Sequence, residues 1–166
     1  MNPLTENDIR SSFVNASRRE RSQATLPDLD TLDWDSLDYL GWRDAKRPLN
    51  AYVVVEVAGT PTGLLLRTAP RVEGRRAGLC SWCQDVVVGV DVSMYVTKRA
   101  GASGRRGNTV GTMICTNLLC SQNVRRTPTA SEVGSDDPGD RQRYIERRID
   151  GLRERSEKFV AQVMEQ

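Results

Sequence analysis

The residues best suited to chemistry in this chain are its four cysteines, Cys80, Cys83, Cys115 and Cys120. They form a C-x2-C pair and a C-x4-C pair, and 31 residues lie between the two pairs. A C-x2-C turn directs two sulfurs at one ion, and four thiolates in a tetrahedron make a closed structural zinc site. The spacing therefore predicts Zn²⁺ bound by all four cysteines, with no open position for a catalytic water.

Three other interpretations of the cysteines stay open at this point. A thioredoxin-like redox pair requires C-x-x-C at the start of a helix after a strand, whereas Cys80 and Cys83 precede a predicted strand. An iron–sulfur cluster is compatible with four cysteines, and so is a set of unligated buried thiols. The spacing favours zinc over these three.

The sequence contains no histidine. This excludes the Ser-His-Asp triad, the Cys-His dyad and the HExxH zinc site. Serine, aspartate and lysine are present, but not in a recognisable catalytic spacing. We therefore expect a protein that is not an enzyme and has no small-molecule substrate.

The elements around the cysteines predict how the two pairs meet. Residues 85–97 are rich in β-branched side chains, the Gly-rich charged stretch 98–108 is typical of a hairpin tip, and 109–114 returns as a strand. A helix is expected over about 116–124. Residues i and i+5 of a helix lie about 140° apart, so we expect Cys115 on the turn before this helix and Cys120 in its first turn.

The remaining elements complete an α+β chain. We predict one helix over 6–23 capped by Thr5, an irregular segment over 26–49 with apolar anchors, and a hairpin of strands 52–57 and 64–68. Residues 126–136 have the composition of a linker, and Asp137 and Pro138 start a last amphipathic helix. The expected organisation is an N-terminal helix and anchored loop (1–40), a β-rich zinc domain (41–127), and a linker with the C-terminal helix (128–166).

Charge is concentrated in the centre of the chain. Residues 51–127 hold ten basic and four acidic side chains, and each flank has a small acidic excess. A basic centre favours a partner with a negative surface, either nucleic acid or an acidic protein. The N-terminus lacks the pattern of a signal peptide and no apolar run is long enough to span a membrane, so we expect a cytoplasmic protein that does not bind membranes.

The order of knuckle, hairpin and helix start is that of a treble-clef zinc finger, and the details resemble one family. The stretch Trp42 to Arg67, the Cys80-Ser-Trp-Cys83 knuckle, the basic Gly-rich tip and Cys115-Thr-Asn-Leu-Leu-Cys120 are similar to the C-terminal treble-clef domain (FBP domain) of the elongation factor G-binding proteins, the FusB family. The resemblance covers roughly residues 40–160. It implies a treble-clef fold with antiparallel hairpins and flanking helices, and binding to elongation factor G on the ribosome.

Two features depart from that family's pattern. The staphylococcal members, which protect translation from fusidic acid, have a full N-terminal helical bundle, whereas about 40 residues precede the zinc domain here. One ligand of the second pair is histidine in those members, whereas Cys115 and Cys120 are both thiols. Thiolate and imidazole both suit zinc, so metal binding is expected to remain, and drug protection does not follow.

Five residues are candidates for partner contacts: Trp82, Lys98, Arg99, Arg105 and Arg106. Aromatic and arginine side chains are frequent interface anchors, and a large side chain inside a knuckle tends to point outward. The alternative for Trp82 is that it covers one side of the metal site, and the alternative for the tip is a solvated loop.

The competing function is a nucleic-acid-binding zinc module. The basic tip together with Arg71, Arg75 and Arg76 would contact the phosphate backbone of RNA or DNA. Against it, residues 51–127 contain only Tyr52, Trp82 and Tyr95 as aromatic side chains for base stacking. Binding to elongation factor G is therefore the favoured function, with RNA contact as a possible addition.

Overall fold

A five-stranded antiparallel sheet organises the chain, and its strands lie in sequence order from β1 to β5. The strands are β1 (Tyr39–Arg43), β2 (Asn50–Val57), β3 (Thr60–Thr68), β4 (Val92–Lys98) and β5 (Thr109–Cys115). The computed structural model describes residues 1–70, 78–85 and 91–165. The predicted strand residues 86–90 and the basic loop residues 71–77 lie outside these ranges. With the helices described below, the architecture confirms the α+β prediction.

Alternation along the central strands gives the sheet two buried faces. Val53 of β2 and Leu64 of β3 face one hydrophobic cluster, which also contains the four cysteines. Tyr52 and Leu65 face a second cluster, to which the N-terminal segment contributes. We call the cysteine-bearing side the inner face and the opposite side the outer face. The hydrophobic residues, which make up 38% of the chain, are thus divided between two cores.

The predicted hairpin of β2 and β3 is confirmed, with a shorter turn than expected. Val57 pairs with Thr60, so only Ala58 and Gly59 form the turn. Their φ angles are +48° and +76°, the left-handed values that a two-residue turn between twisted strands requires. Residues 60–63, expected in the turn, belong to β3 instead.

The single helix predicted over 6–23 is wrong, because two helices occupy this stretch. Thr5 caps α1 (Glu6–Ser12) as predicted, and Ser17 caps α2 (Arg18–Gln23). Each cap forms a capping box with the acidic residue three positions later. Between the helices Phe13 is extended and pairs with Gly63 of β3, which places its ring in the outer core.

The acidic segment that follows contains two short 3₁₀ turns, Leu29–Thr31 and Trp34–Ser36. Its apolar side chains pack against the outer core, as predicted for anchors. Strand β1 was not predicted, and the expected boundary after residue 40 falls inside it. Strand β1 is joined to the segment between the second pair of cysteines, because the Tyr39 hydroxyl donates to the carbonyl oxygen of Leu118 at 2.9 Å.

Short helices connect β4 and β5 and follow the second cysteine pair. The predicted hairpin tip contains α3 (Gly101–Arg105), and α4 (Cys120–Val124) follows β5. The predicted linker contains α5 (Ala130–Val133), whose cap Thr129 and partner Glu132 form another capping box.

The last helix, α6 (Pro138–Met164), starts at the predicted Asp137 cap. Its C-terminal half packs on the inner face through Leu152, Phe159, Val160 and Val163. The first turns of the predicted apolar stripe, including Tyr144, are only partly buried. Within the described residues, no helix is long and apolar enough to cross a membrane.

Candidate metal centre

Three separate elements bring the four cysteines together. Cys80 and Cys83 lie on a turn before β4, Cys115 is the last residue of β5, and Cys120 is the first residue of α4. This confirms the prediction that Cys115 precedes the helix and Cys120 lies in its first turn. The turn carrying the first pair is attached to the sheet, since the Ser81 amide donates to the carbonyl oxygen of Met113 at 2.7 Å.

The sulfur positions fit a tetrahedral zinc ion. The Sγ atoms of Cys80 and Cys120 lie 3.6 Å apart, as do those of Cys83 and Cys115. All four sulfurs lie within 4.8 Å of one another. Zinc–sulfur bonds of about 2.3 Å in a tetrahedron place neighbouring sulfurs about 3.8 Å apart. The donor set and its spacing therefore suit Zn²⁺ with four thiolate ligands.

Neighbouring N–H groups point at the sulfurs. The backbone amides of Trp82 and Cys83 each donate to the Cys80 sulfur at 3.4 Å, and the Asn123 side-chain amide donates to the Cys115 sulfur at 3.3 Å. Such contacts orient the ligands and offset part of the negative charge that four thiolates carry. Asn123 was not predicted; it lies on α4 one turn after Cys120.

The buried thiols do not easily ionise together. Hydrogen bonds from the thiols of Cys115 and Cys120 lower the pKa of Cys80. The pKa of Cys120 is raised well above its usual range by its hydrogen bonds with Cys115 and Cys80 and by burial. A bound divalent cation lowers the pKa of every cysteine of the cluster, because it stabilises all four thiolates at once. The cluster is therefore suited to binding a metal and unsuited to carrying four free charges.

An ion-pair network fixes the turn and the helices around the centre. Asp85 accepts from Arg126 at 3.0 Å and from Arg148 at 2.8 Å, and Arg126 also donates to Glu132 at 2.6 Å. Its members come from the end of the knuckle, the segment after α4, α5 and α6. The sequence analysis did not predict this network. Its signal in the sequence is the T-x-x-E capping box that starts at Thr129, in a segment that was interpreted as a linker.

Trp82 is not a partner contact, and that prediction is wrong. Its side chain is only 1% exposed. The indole packs edge-on against Tyr39 with ring centroids 5.0 Å apart and against Phe159 at 5.7 Å. The alternative, a side chain that covers the metal site from inside, describes its position. Trp82 is the largest apolar side chain of the knuckle, and its burial removes that apolar surface from water. In this position it contacts Tyr39 of β1 and Phe159 of α6.

The four predicted tip residues do not form one free cationic group. The guanidinium of Arg99 donates to the carbonyl oxygen of Gln162 at 2.6 Å, so it binds the end of α6. Lys98, Arg105 and Arg106 are exposed, and none of the three forms an ion pair with a residue that the structure describes. These three remain suited to a partner, whereas Arg99 has a structural contact.

The residues named for nucleic-acid binding receive little support. Arg71, Arg75 and Arg76 lie outside the described residues. Tyr52 and Tyr95 are 1% and 0% exposed, so with Trp82 all three aromatic side chains of residues 51–127 are buried. None of them presents a face on which a base could stack.

The sequence was compared with curated proteins, solved structures and family models. No curated protein and no solved structure matches the sequence significantly. The family model for the FBP C-terminal treble-clef zinc-finger matches residues 8–163, almost the whole chain. The match covers both cysteine pairs, the sheet and α6, and it extends to the N-terminal helices that the resemblance left out. The chain belongs to the FBP C-terminal treble-clef zinc-finger family.

Proposed function

We propose that this chain is a non-enzymatic zinc protein of the cytoplasm that binds elongation factor G and modulates its action or release on the ribosome. Membership of the FusB-type family, together with an intact set of four zinc ligands, is the observation that carries the proposal. The closed, buried ligand set favours binding over catalysis, because four thiolates leave no coordination position for a substrate.

The surface best suited to the partner is the outer face of β4 and β5. The N-terminal segment packs against β1–β3 on this face, whereas Met94 and Val96 of β4 are 50% and 38% exposed. A groove of about 130 Å³ lies beside Val96, with Leu65 and Lys98 among its lining residues. Exposed apolar side chains within a polar rim are typical of protein interfaces.

The charge of this surface favours an acidic partner. Lys98 is at the end of β4, and Arg105 and Arg106 are on the tip beside it. Such charges mainly accelerate association and select partners of opposite sign. The contact would act on translation by differential binding, since a protein that prefers one conformation of the factor shifts its population towards that conformation.

The test is the affinity of the zinc-loaded protein for purified elongation factor G. The triple variant Lys98→Glu, Arg105→Glu, Arg106→Glu is expected to weaken binding at least about tenfold, mainly through a slower association rate. The matched control reverses three exposed cations elsewhere, Arg18→Glu, Arg19→Glu and Lys158→Glu, and should bind as the parent does.

Two results would contradict the proposal. One is that the parent protein does not bind elongation factor G. The other is affinity purification that recovers ribosomal RNA without the factor, which would favour the nucleic-acid-binding alternative. Equal loss in the two triple variants would leave the factor as partner and move the contact away from the tip.

A further inference from the structure

A second cleft lies beside the metal centre, between the knuckle and α6. It measures about 210 Å³, and its lining includes Cys83, Gln84, Tyr144, Arg147, Arg148 and Arg155. Since a water molecule occupies about 30 Å³ in the liquid, the cleft has room for a small polyatomic ion with waters. None of the tip residues discussed above lines it, so it is a separate site.

Arg155 is held in this cleft by a specific arrangement. Its Nε donates to the carbonyl oxygen of Trp82 at 2.6 Å. Its guanidinium folds back over Gly151, where a Cβ atom would lie only 2.6 Å from Nη1 and 3.0 Å from Nη2. A glycine inside a helix is unfavourable, and here its missing side chain makes the space that the guanidinium occupies. With Nε engaged, the two Nη groups remain as donors.

The fold-back moves the Arg155 guanidinium about one helical turn along α6 towards Arg147. Gly151 lies one turn after Arg147, and a turn of helix rises about 5.4 Å. Arg147 is exposed and forms no ion pair with a described residue, and its guanidinium lies 5.7 Å from the centroid of the Tyr144 ring. Gln84, on the knuckle, adds an exposed amide from the opposite side of the cleft.

The two carboxylates that line the cleft, Asp85 and Glu132, already have partners. Asp85 accepts from Arg126 and Arg148, and Glu132 accepts from Arg126 and from the Thr129 amide at 2.8 Å. Among the described residues, the lining donors without a carboxylate partner are therefore those of Gln84, Tyr144, Arg147 and Arg155. Zn²⁺ with four thiolates carries a charge of −2, and Asp85 and Glu132 add two negative charges. The four arginines around them, Arg126, Arg147, Arg148 and Arg155, balance this charge. A ligand would therefore be held by short-range hydrogen bonds.

From this arrangement we infer that the cleft binds a phosphate group through Arg147, Arg155 and Gln84. Guanidinium groups match phosphate oxygens with paired hydrogen bonds. The donors approach from both walls of the cleft, which suits a tetrahedral anion better than a planar carboxylate with two oxygens. The phosphate comes either from free phosphate or from the phosphodiester backbone of RNA. The inference is independent of the binding of elongation factor G.

The test is a titration of the zinc-loaded protein with inorganic phosphate at constant ionic strength, followed through the arginine Nε–Hε signals in ¹H–¹⁵N NMR spectra. We expect saturable shifts for Arg147 and Arg155. Arg147→Gln and Arg155→Gln should each weaken phosphate binding about tenfold, the usual effect of losing a charge-assisted hydrogen bond.

Gly151→Ala is the decisive variant, because alanine favours the helix while its methyl group displaces the Arg155 guanidinium. It should weaken phosphate binding as much as Arg155→Gln without lowering the melting temperature or the zinc content. Arg143→Gln is the matched control. It removes an exposed α6 arginine that pairs with Asp140 and does not line the cleft, so phosphate affinity should be unchanged.

A competition experiment with an oligonucleotide distinguishes free phosphate from the phosphodiester backbone of RNA. If an oligouridine displaces phosphate and loses affinity in the same three variants, the ligand is the phosphodiester backbone. If it does not, free phosphate is the ligand. The inference is overturned if the parent shows no saturable shifts, if glutamate binds as well as phosphate, or if Gly151→Ala and Arg155→Gln bind phosphate as Arg143→Gln does.

Discussion

The four cysteine sulfurs are buried together, in positions where all of them can bind one metal ion. All four are buried, and each lies within reach of the other three. Without histidine, the protein must hold the ion by thiolates alone, and it supplies N–H donors to two of them from the knuckle backbone and from Asn123. This residue-scale arrangement links the stability of the fold to the metal.

Replacing Cys115 by serine tests that link. The variant lacks the thiolate that joins β5 to the centre, so the purified protein should contain little zinc. Structural zinc sites contribute about 10–16 kcal/mol of apparent binding energy at neutral pH, and losing several kcal/mol should lower the melting temperature by more than about 10 °C. Metal content by mass spectrometry and thermal unfolding by circular dichroism provide the two measurements.

Ser81→Ala is the control for this substitution, since Ser81 lies between the first two ligands and its side chain is exposed. Its zinc content and melting temperature should match those of the parent. A Cys115→Ser protein that keeps one equivalent of zinc and its melting temperature would contradict the four-thiolate centre.

Glu132 gives the network around Asp85 a pH dependence of known sign. Hydrogen bonds from Arg126 and Thr129 lower its pKa to about 2, below the usual glutamate value of about 4.3. The ionised group therefore stabilises the fold above that usual value, and the effect disappears as pH falls through about 2. Glu132→Gln should lower the free energy of unfolding by about 1 kcal/mol at neutral pH, and by progressively less below about pH 5.

Urea unfolding of both proteins across this pH range measures the difference. The comparison uses the pH values at which parent and variant both retain zinc. Glu154→Gln, at an exposed position of α6, should show no such dependence. A difference that stays constant from neutral to acidic pH would show that the Glu132 carboxylate does not act through its charge.

At the scale of elements, local signals predicted the structure where they were strong. The Thr5 and Asp137 caps, the β2–β3 hairpin and the position of Cys120 in the first turn of α4 all follow from short-range rules, although α4 starts four residues later than the expected 116. The break between α1 and α2 was missed although the Ser17 capping box carries its signal. The inward position of Trp82 has no local signal, because it depends on Tyr39 and Phe159, which are distant in sequence.

Asn15, between α1 and α2, shows how a loop residue joins two elements. Within the described parts of the chain, strands β3 and β4 pair at Arg67–Val96 and Thr68–Tyr95 alone. Beyond these pairs the Asn15 side chain replaces the missing strand contacts. Its Oδ1 accepts from the Leu65 amide at 2.9 Å, and its Nδ2 donates to the carbonyl oxygens of Leu65 and Lys98 at 3.1 and 3.2 Å.

Asn15→Ala should therefore destabilise the protein by about 2–3 kcal/mol, because the buried Leu65 amide loses its partner. Chemical denaturation measures this value. Asn7→Ala is the matched control, because it also removes an asparagine side chain, at an exposed position of α1. It should change the free energy of unfolding by less than about 0.5 kcal/mol. Equal values for the two variants would mean that Asn15 does not replace the strand pairing.

At the scale of the whole molecule, one sheet separates two cores, and only one of them contains the metal ligands. The inner core contains all four ligands, Trp82 and the buried half of α6. The outer core contains Phe13, Trp42 and Tyr52 and no ligand. There the ring of Trp42 stacks on Tyr52 with centroids 5.0 Å apart, and Phe13 meets Tyr52 edge-on at 5.5 Å. The outer core therefore has its own packing.

Removing zinc should loosen the two sides unequally. Treatment with a strong chelator leaves four buried thiols without a cation. Strand β5 and helix α4 then lose the metal ion that joins them to the knuckle, and α6 loses the support of the inner core. Strands β1–β3 retain both their mutual pairing and the outer core. Hydrogen exchange followed by mass spectrometry should show early loss of protection in peptides from 109–124 and 150–163, while peptides from 39–43 and 50–66 stay protected longer. Adding zinc back should restore the slow exchange. Simultaneous loss of protection in all four regions would instead show that the metal supports a single cooperative unit.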